Sequence, residues 1–226
     1  MLIRSFLTTV VKTDPEAGHH GVSLLLIDTD TPGVSVSRKL RKLGMLSSDT
    51  AEIALDDVRV PHANLIGLEP GQGFQQLMWQ LQYERLCGAA AGIGQAEAII
   101  ETTIAFARDR ETFGRPIAQH QVVAHRLADC ATELEAARAF LYSVVWRIQA
   151  GEYPVAEISM VKKFVAQAQN RIADACLQIH GGAGYMQEYA VSRQFRDARL
   201  QRIGAGTDEV MNEVIAKRLG LGAPRG

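Results

Sequence analysis

Residues 155–180 read VAEISMVKKFVAQAQNRIADACLQIH, and this stretch decides the fold class. Apolar side chains recur in it at spacings of three and four residues, which is the period of one helix face. The recurring positions are Val155, Ile158, Val161, Val165, Ala168, Ile172, Ala175 and Ile179. The stretch therefore predicts a long amphipathic helix whose apolar stripe faces a core.

The same helical period appears twice upstream, over residues 77–104 and 123–148. Residues 113–116 and 151–154, rich in glycine and proline, separate these helices by short turns, so antiparallel neighbours are expected. A fourth helix is predicted over residues 207–220, because acidic side chains in its first turn favour the positive end of the helix dipole. These helices predict an antiparallel bundle.

Before residue 70 the pattern is different, because β-rich runs at residues 22–28, 34–37 and 51–60 alternate with turn clusters. The last run changes face at Asp56-Asp57, as a bulge or a turn would require. Residues 1–11 are expected to form a buried strand. The fold class is therefore mainly α, with a partial antiparallel β domain at residues 1–70 followed by a helical-bundle domain at residues 71–226.

Composition excludes several functional classes. The 226 residues carry 24 basic and 25 acidic side chains, and neither half is strongly basic, which argues against binding to nucleic acid or to an anionic membrane. The longest apolar runs are too short to cross a bilayer. Cys87, Cys130 and Cys176 lie far apart, so neither a disulfide framework nor a zinc site is indicated. This cysteine pattern fits a reducing compartment. The three-part pattern of a signal peptide is incomplete at the start of the sequence, so none is expected.

Familiar cofactor motifs are incomplete. A di-iron bundle requires Glu-x-x-His on inward-facing helices, and the match at residues 16–19 falls in a loop. Gly92-x-Gly94 lies inside a helical period, and Gly204-x-Gly206 lacks the third glycine of a dinucleotide fingerprint. His120 and His125 are interpreted as polar residues at a helix start. No metal site and no Rossmann fold are predicted.

Two features leave alternatives open. Gln178 to Tyr185 contain three glycines within four residues, which indicates either a helix stop or a bare backbone turn that a phosphate or nucleotide can approach. Glu84, in the first long helix, is either half of a solvated charge pair with Arg85 or a carboxylate in a cleft that acts as a general base. Local pattern alone favours the structural alternative in both cases.

Several motifs, in order, resemble the acyl-CoA dehydrogenase family over nearly the whole chain. They are Lys42-Leu43-Gly44, Asp49-Thr50-Ala51-Glu52, Gly71-Gln72-Gly73-Phe74, Glu84-Arg85-Leu86, Arg108 to Gly114, Gln119-His120-Gln121, Gln178 to Tyr185, Arg196-Asp197-Ala198 and Ile203 to Glu209. The resemblance implies a flavoprotein that binds FAD, forms a homotetramer and oxidises an acyl-CoA thioester to trans-2-enoyl-CoA. It also implies transfer of the electrons to an electron-transferring flavoprotein.

The resemblance assigns the site as follows. Many members place the catalytic glutamate where this chain has Ala205, so the chain looks like the isovaleryl-CoA and long-chain branch, in which Glu84 is the base. The implied acyl-CoA contacts are Tyr83, Arg85, Ala205 and Gly206. The implied FAD contacts are Arg110, Thr112, Phe113 and Gln121, which reach a neighbouring subunit's cofactor, together with Gln178, Ile179, His180, Gly181, Gly182, Thr207, Asp208 and Glu209.

The resemblance also implies that the chain begins inside the family's middle β domain. A non-catalytic helical oligomerisation module and one half of a split flavoenzyme therefore stay open as alternatives to a complete dehydrogenase. The expected location is the cytoplasm, or the mitochondrial matrix in a eukaryote.

Overall fold

The computed structural model describes residues 6–221. The chain divides into two compact units, Met1–Leu81 and Gln82–Gly226. The domain boundary predicted between residues 70 and 71 stays a prediction. Over residues 6–221, no helix combines the length and the apolar character that a membrane span requires.

Two antiparallel hairpins make up the strands of the first unit. Strand β1 (Phe6–Lys12) pairs with β2 (Val22–Asp28), and β3 (Val34–Lys39) pairs with β4 (Ala51–Leu55). The predicted antiparallel β region is therefore confirmed.

Two details of the β prediction are wrong. Strand β1 is not buried, because its side chains alternate in exposure and Phe6 and Val10 are 53% and 52% exposed. Residues 1–5 lie outside the described residues. The run predicted over 51–60 is a strand only to Leu55. The change of face expected at Asp56-Asp57 is a bend, in which Asp57 has a left-handed backbone (φ 46°), and no strand follows it over residues 58–60.

The three long helices have nearly the predicted bounds: α1 is Gly73–Asp109, α2 is Gln121–Gln149 and α3 is Val155–His180. Helix α1 includes residues of both units. A further helix, α4 (Ala190–Ala198), follows, and the predicted last helix is α5 (Asp208–Arg218). The sequence analysis missed α4, because nine residues are too few to show a clear period.

Ion pairs show that α2 and α3 are antiparallel. Arg147, near the end of α2, contacts Glu157 near the start of α3 at 2.5 Å. Glu133, earlier in α2, instead contacts Arg171 near the end of α3. The contacts therefore run in opposite directions along the two helices, as the short turn between them predicts.

Contacts between α1 and α3 run in the same direction. The Gln169 side-chain amide donates to Gln95 Oε1 at 2.6 Å, and the rings of Phe106 and His180 stack eleven residues further along both helices. Helix α1 is therefore parallel to α3 and antiparallel to α2. The predicted mainly α fold with an antiparallel bundle is confirmed.

Apolar residues from all three long helices form the core of the second unit. These side chains are almost fully buried, and each contributes about 1.5–3 kcal/mol by leaving water. The members that are fully buried include Ile99, Val144, Ile158, Val161, Val165 and Ile172.

Candidate active site and cofactor groove

An open groove of about 610 Å³ lies between the start of α2 and the end of α3, and we call it the α2–α3 groove. Its lining is mostly apolar, with Arg126 as its basic member. Four predicted FAD contacts, Thr112, Phe113, Gln178 and Ile179, line it. The fold therefore brings together residues that are 65 or more positions apart in sequence. The remaining lining residues are Ile117, His120, Val122, Val123 and Ala175.

A two-residue hairpin forms one edge of this groove. Strand β5 (Glu111–Thr112) pairs with β6 (Arg115–Pro116), and the turn residues Phe113 and Gly114 both have left-handed backbones, with φ values of 53° and 77°. Glycine adopts this conformation freely, whereas phenylalanine is strained in it. Phe113 is also 96% exposed, and its side chain has an edge-on ring contact with His120 at 6.1 Å, so burial contributes little to compensate the strain. Such strain is typical of functional positions.

His120, the residue directly before α2, forms hydrogen bonds with both strands of the hairpin. Arg115 donates to its Nδ1 at 3.2 Å, and because a guanidinium only donates, Nδ1 is unprotonated. The proton is then on Nε2, which donates to Thr112 Oγ1 at 3.2 Å. The sequence analysis gave His120 no function, although it stands within the Gln119-His120-Gln121 motif of the resemblance.

The glycines after α3 have different roles. Gly181 has a left-handed backbone (φ 58°) and donates its N–H to the Gln178 carbonyl, which ends the helix. A Cβ at Gly184 would lie 2.6 Å from the Leu177 carbonyl oxygen, so this glycine is required by packing. Gly181 and Gly182 are exposed, and a Cβ at either would meet nothing within 4 Å. The turn is thus a helix stop that also leaves open space beside it.

The side chain of His180 faces the core, unlike the neighbouring glycines. It is buried, and its Nδ1–H donates to the Cys176 carbonyl at 2.9 Å. Arg110 and Gln121 are exposed and do not line the groove. The backbone of Arg110 is nevertheless fixed, because its carbonyl accepts from the Ile117 N–H at 2.8 Å.

A second group, the Arg85 cluster, consists of Arg85, Lys162, Ala205 and Gly206. Arg85 is only 5% exposed, and its Nε donates to the Ala205 carbonyl at 3.1 Å. Burial lowers the pKa of Arg85, which the nearby Glu84 carboxylate partly offsets. Glu84 itself is exposed, as is Tyr83.

The Ala205–Gly206 segment has an unusual backbone. Ala205 has φ 54° and Gly206 has φ 108°, and a Cβ at Gly206 would lie 2.7 Å from Met211 Cε. Lys162 is 4% exposed and donates its Nζ to the Gly206 carbonyl. Burial lowers the pKa of Lys162. The sequence analysis missed Lys162.

Thr207, Asp208 and Glu209, which were predicted to contact FAD, stand at the start of α5. Thr207 caps the helix, since its Oγ1 accepts from the Val210 N–H at 3.3 Å. Asp208 is buried and Oδ2 accepts from Arg202 Nε at 2.7 Å. Glu209 is exposed, and its own backbone N–H and the Thr207 side chain lower the pKa of its carboxyl.

The α2–α3 groove and the Arg85 cluster are separate within one chain. Lys162 and Gln178 stand on the same helix, 16 positions apart, which corresponds to about 24 Å of helix length. Three of the predicted acyl-CoA residues, Arg85, Ala205 and Gly206, therefore come together in one place. Of the predicted FAD residues, four line the groove and three stand at the start of α5.

Residues 71–220 match the family model described as "Acyl-CoA dehydrogenase, C-terminal domain". The chain belongs to the acyl-CoA dehydrogenase family. The family and fold predicted from the sequence motifs are thus confirmed. The roles of the individual site residues stay predictions.

Relatives within the acyl-CoA dehydrogenase family match nearly all of the chain. A probable acyl-CoA dehydrogenase, YngJ, from Bacillus subtilis is 39% identical over 96% of this chain and 57% of the relative. The mitochondrial isovaleryl-CoA dehydrogenase of Oryza sativa is 39% identical over 94% and 52%. The chain therefore spans just over half the length of these relatives.

A solved structure has the same fold. The crystal structure of a probable acyl-CoA dehydrogenase from Mycobacterium abscessus is 45% identical and superposes with a TM-score of 0.92. The match covers 96% of this chain and 57% of that one.

Proposed function

We propose that the chain contributes the catalytic base and the cofactor contacts of a flavin-dependent acyl-CoA dehydrogenase. The observation that carries this proposal is the arrangement around Arg85. This buried cation ties α1 to the Ala205 carbonyl, and the adjacent residue on α1, Glu84, leaves its carboxylate exposed next to this tie. A carboxylate at this place is available to a thioester that lies along the Ala205–Gly206 segment.

In the proposed reaction, Glu84 takes the α-proton of the acyl-CoA as the Cα–H bond breaks. FAD, when bound, supplies the acceptor for the β-hydrogen, which leaves with its electron pair. A double bond forms between Cα and Cβ, so the substrate loses two electrons and becomes trans-2-enoyl-CoA. Ala205 has no acidic group, so its backbone contributes to binding rather than to proton transfer.

The α2–α3 groove fits part of a dinucleotide. Its apolar walls suit an aromatic ring system, and Arg126 and the nearby Arg110 suit phosphate oxygens. At the start of the 29-residue helix α2, the N–H groups of Gln121 and Val122 have no acceptor among residues 6–221, and they lie at the positive end of the helix dipole. A solved structure of PigA with FAD and proline is 30% identical and superposes on 97% of this chain with a TM-score of 0.91.

We further propose that the groove of one copy completes the site of another. The 24 Å between the groove and the Arg85 cluster supports this arrangement, because predicted FAD contacts lie in the groove and also at Thr207, Asp208 and Glu209, directly after the cluster in sequence. Large apolar side chains near the groove and on α2 are also exposed, and a second copy would cover them. They are Phe113, Val122, Tyr142 and Trp146. The proposed assembly is the family's dimer of dimers.

The proposed electron acceptor is an electron-transferring flavoprotein, and the proposed location is the cytoplasm or the mitochondrial matrix. The rice relative is a mitochondrial protein by name, which supports the second location for a eukaryotic source.

Anaerobic titration tests the function. The purified chain is mixed with FAD and then with butyryl-CoA or isovaleryl-CoA, and the oxidised flavin band is followed by absorbance. The proposal expects FAD to bind and the band to bleach with one of the thioesters. Binding of neither FAD nor thioester contradicts it, and binding of both without bleaching contradicts the catalytic part.

A further inference from the structure

Two buried cations from different helices hold consecutive backbone carbonyls. Arg85 of α1 donates to the Ala205 carbonyl, and Lys162 of α3 donates to the Gly206 carbonyl. Lysine is almost never fully buried unless it is paired, since removing its charge from water is costly. A neutral side chain would fill this place without the free-energy cost of desolvating a charge, so the buried lysine requires an explanation.

The direction of the carbonyls fixes the direction of the neighbouring N–H groups. In a trans peptide, the C=O and the N–H point in opposite directions. The carbonyls of Ala205 and Gly206 point to the buried cations, so the N–H groups of Gly206 and Thr207 point away from them. Within residues 6–221, no acceptor pairs with either N–H group. The segment therefore presents two unpaired donors at the start of α5.

The segment does not keep this conformation by itself. Ala205 has a left-handed backbone that a residue with a Cβ rarely adopts, and Gly206 has a φ of 108° beside Met211. Strained backbone persists only where its surroundings hold it. The two charge-assisted hydrogen bonds provide that hold.

We propose that Lys162 is a positioning residue, which fixes the Gly206–Thr207 peptide so that its N–H faces an oxygen acceptor of a bound ligand. The acceptor is a carbonyl or phosphate oxygen, and the two sources are an acyl-CoA thioester and FAD. This inference rests on the proposed function. Lys162 acts through the backbone and touches neither ligand.

The chain offers a matched control. Lys163 is the next residue on α3, and its Nζ bonds Asn212 Oδ1 at 2.7 Å instead of the Gly206 carbonyl. Lys162→Met and Lys163→Met remove the same charge from the same helix. Lys162→Arg keeps a cationic donor and serves as the rescue, and Lys162→Gln replaces Lys162→Met if the latter does not fold.

The first measurement is amide hydrogen exchange of the ligand-free chain. Lys162→Met should accelerate exchange at the Val210 and Met211 amides, which donate to Thr207 Oγ1 and to the Thr207 carbonyl, by about tenfold, the effect of losing one charge-assisted hydrogen bond. Exchange in α2 and α3 should stay unchanged, and Lys163→Met and Lys162→Arg should resemble wild type. Unchanged exchange at these two amides, or equal acceleration throughout the bundle, would overturn the proposal.

The second measurement is the affinity of each variant for FAD and for butyryl-CoA, titrated separately. Lys162→Met should weaken one of the two by about tenfold, and that ligand contains the acceptor. Lys162→Arg should recover most of this affinity. Unchanged affinities despite faster exchange would overturn the role toward ligands. If the wild-type chain binds neither, the proposed function fails, while the exchange measurement still decides whether Lys162 holds the peptide.

Discussion

The rings of Phe106 and His180 stack with their centroids 4.2 Å apart and their planes inclined by 22°. Phe106 stands in the last turns of α1, and His180 is the last residue of α3. The stack therefore fixes the point at which α3 ends and the exposed Gly181–Gly182 turn begins. In the sequence His180 looks like part of a glycine-rich loop, but its side chain packs in the core.

Replacing His180 should remove this stack and destabilise the fold. His180→Ala removes the stack and the hydrogen bond to the Cys176 carbonyl and leaves a cavity, so the free energy of unfolding should fall by about 2–4 kcal/mol. Urea denaturation followed by circular dichroism measures this loss. The exposed His125 on α2 is the control, and His125→Ala should stay within about 0.5 kcal/mol of wild type. Equal effects of the two substitutions would show that the stack adds no stability.

Phe113 should lower the stability of the fold and favour the binding of FAD. Asparagine tolerates a left-handed backbone better than phenylalanine, so Phe113→Asn should raise the free energy of unfolding by about 0.5–1 kcal/mol. The same change removes an exposed aromatic ring from the α2–α3 groove, so FAD should bind more weakly. Flavin fluorescence and urea denaturation give the two quantities.

At Gly114, in the same turn, a substitution should add backbone strain instead of relieving it. Gly114→Ala places a Cβ on a residue with φ 77°, and a Cβ there would meet nothing within 4 Å. Only backbone strain opposes this change, so stability should fall by about 1 kcal/mol with little effect on FAD. If Phe113→Asn also lowered stability, the strain attributed to Phe113 would be absent.

Helix α3 shows how far the sequence predicts the fold. Its apolar period matches the buried face, because a long core helix must repeat its apolar residues every three or four positions. Helix α4 was missed, since over half of its nine residues are polar or charged. Strand β1 was predicted to be buried, whereas its two-stranded sheet leaves alternate side chains exposed.

The site was predictable from motifs and not from local pattern. Arg85 and Ala205 are 120 positions apart, and only the fold shows that they are bonded. Lys162 did have a local signal, because it stands four positions after Ile158 and three before Val165, on the apolar face of α3. A lysine on that face requires a buried partner, and the sequence does not show that the partner is a backbone carbonyl.

Asp208 should make stability depend on pH. Burial alone would raise the pKa of its carboxyl, but hydrogen bonds from Gln167 at 3.1 Å and Arg202 at 2.7 Å lower it overall. A carboxyl whose folded-state pKa is lowered stabilises the fold above its ordinary pKa of about 4, and this contribution is lost as the pH falls toward the folded-state value. Asp208→Asn should therefore cost about 1–3 kcal/mol at neutral pH and progressively less below about pH 4.

Urea denaturation at several pH values measures that difference, and the exposed Asp174 on α3 provides the control variant, Asp174→Asn. A cost of Asp208→Asn that stays constant from neutral pH to about pH 3 would show that the carboxylate's charge does not stabilise the fold.

Glu84→Gln tests the proposed base. Glutamine keeps the shape of the side chain but does not accept the proton, so flavin bleaching by acyl-CoA should slow by at least about a hundredfold. Thioester affinity should change much less, because the lost interaction belongs to the transition state. Glu101→Gln, an exposed carboxylate on the same helix, should bleach at the wild-type rate in stopped-flow absorbance. Wild-type bleaching by Glu84→Gln would exclude Glu84 as the base.

Ala205→Glu in the Glu84→Gln background should recover part of that rate. Ala205 already carries a Cβ on a left-handed backbone, so a longer side chain adds no new kind of backbone strain there. Arg85 holds the Ala205 carbonyl, so the new carboxylate at position 205 should stay close to position 84, where the original carboxylate was removed. Ala205→Glu alone places two acids near one proton, and mutual repulsion should raise their apparent pKa and move the pH dependence of bleaching upward. If Ala205→Glu recovers the bleaching rate with thioester affinity unchanged, proton acceptance was the function lost in Glu84→Gln. If the rate does not recover, a carboxylate at position 205 does not reach the α-proton.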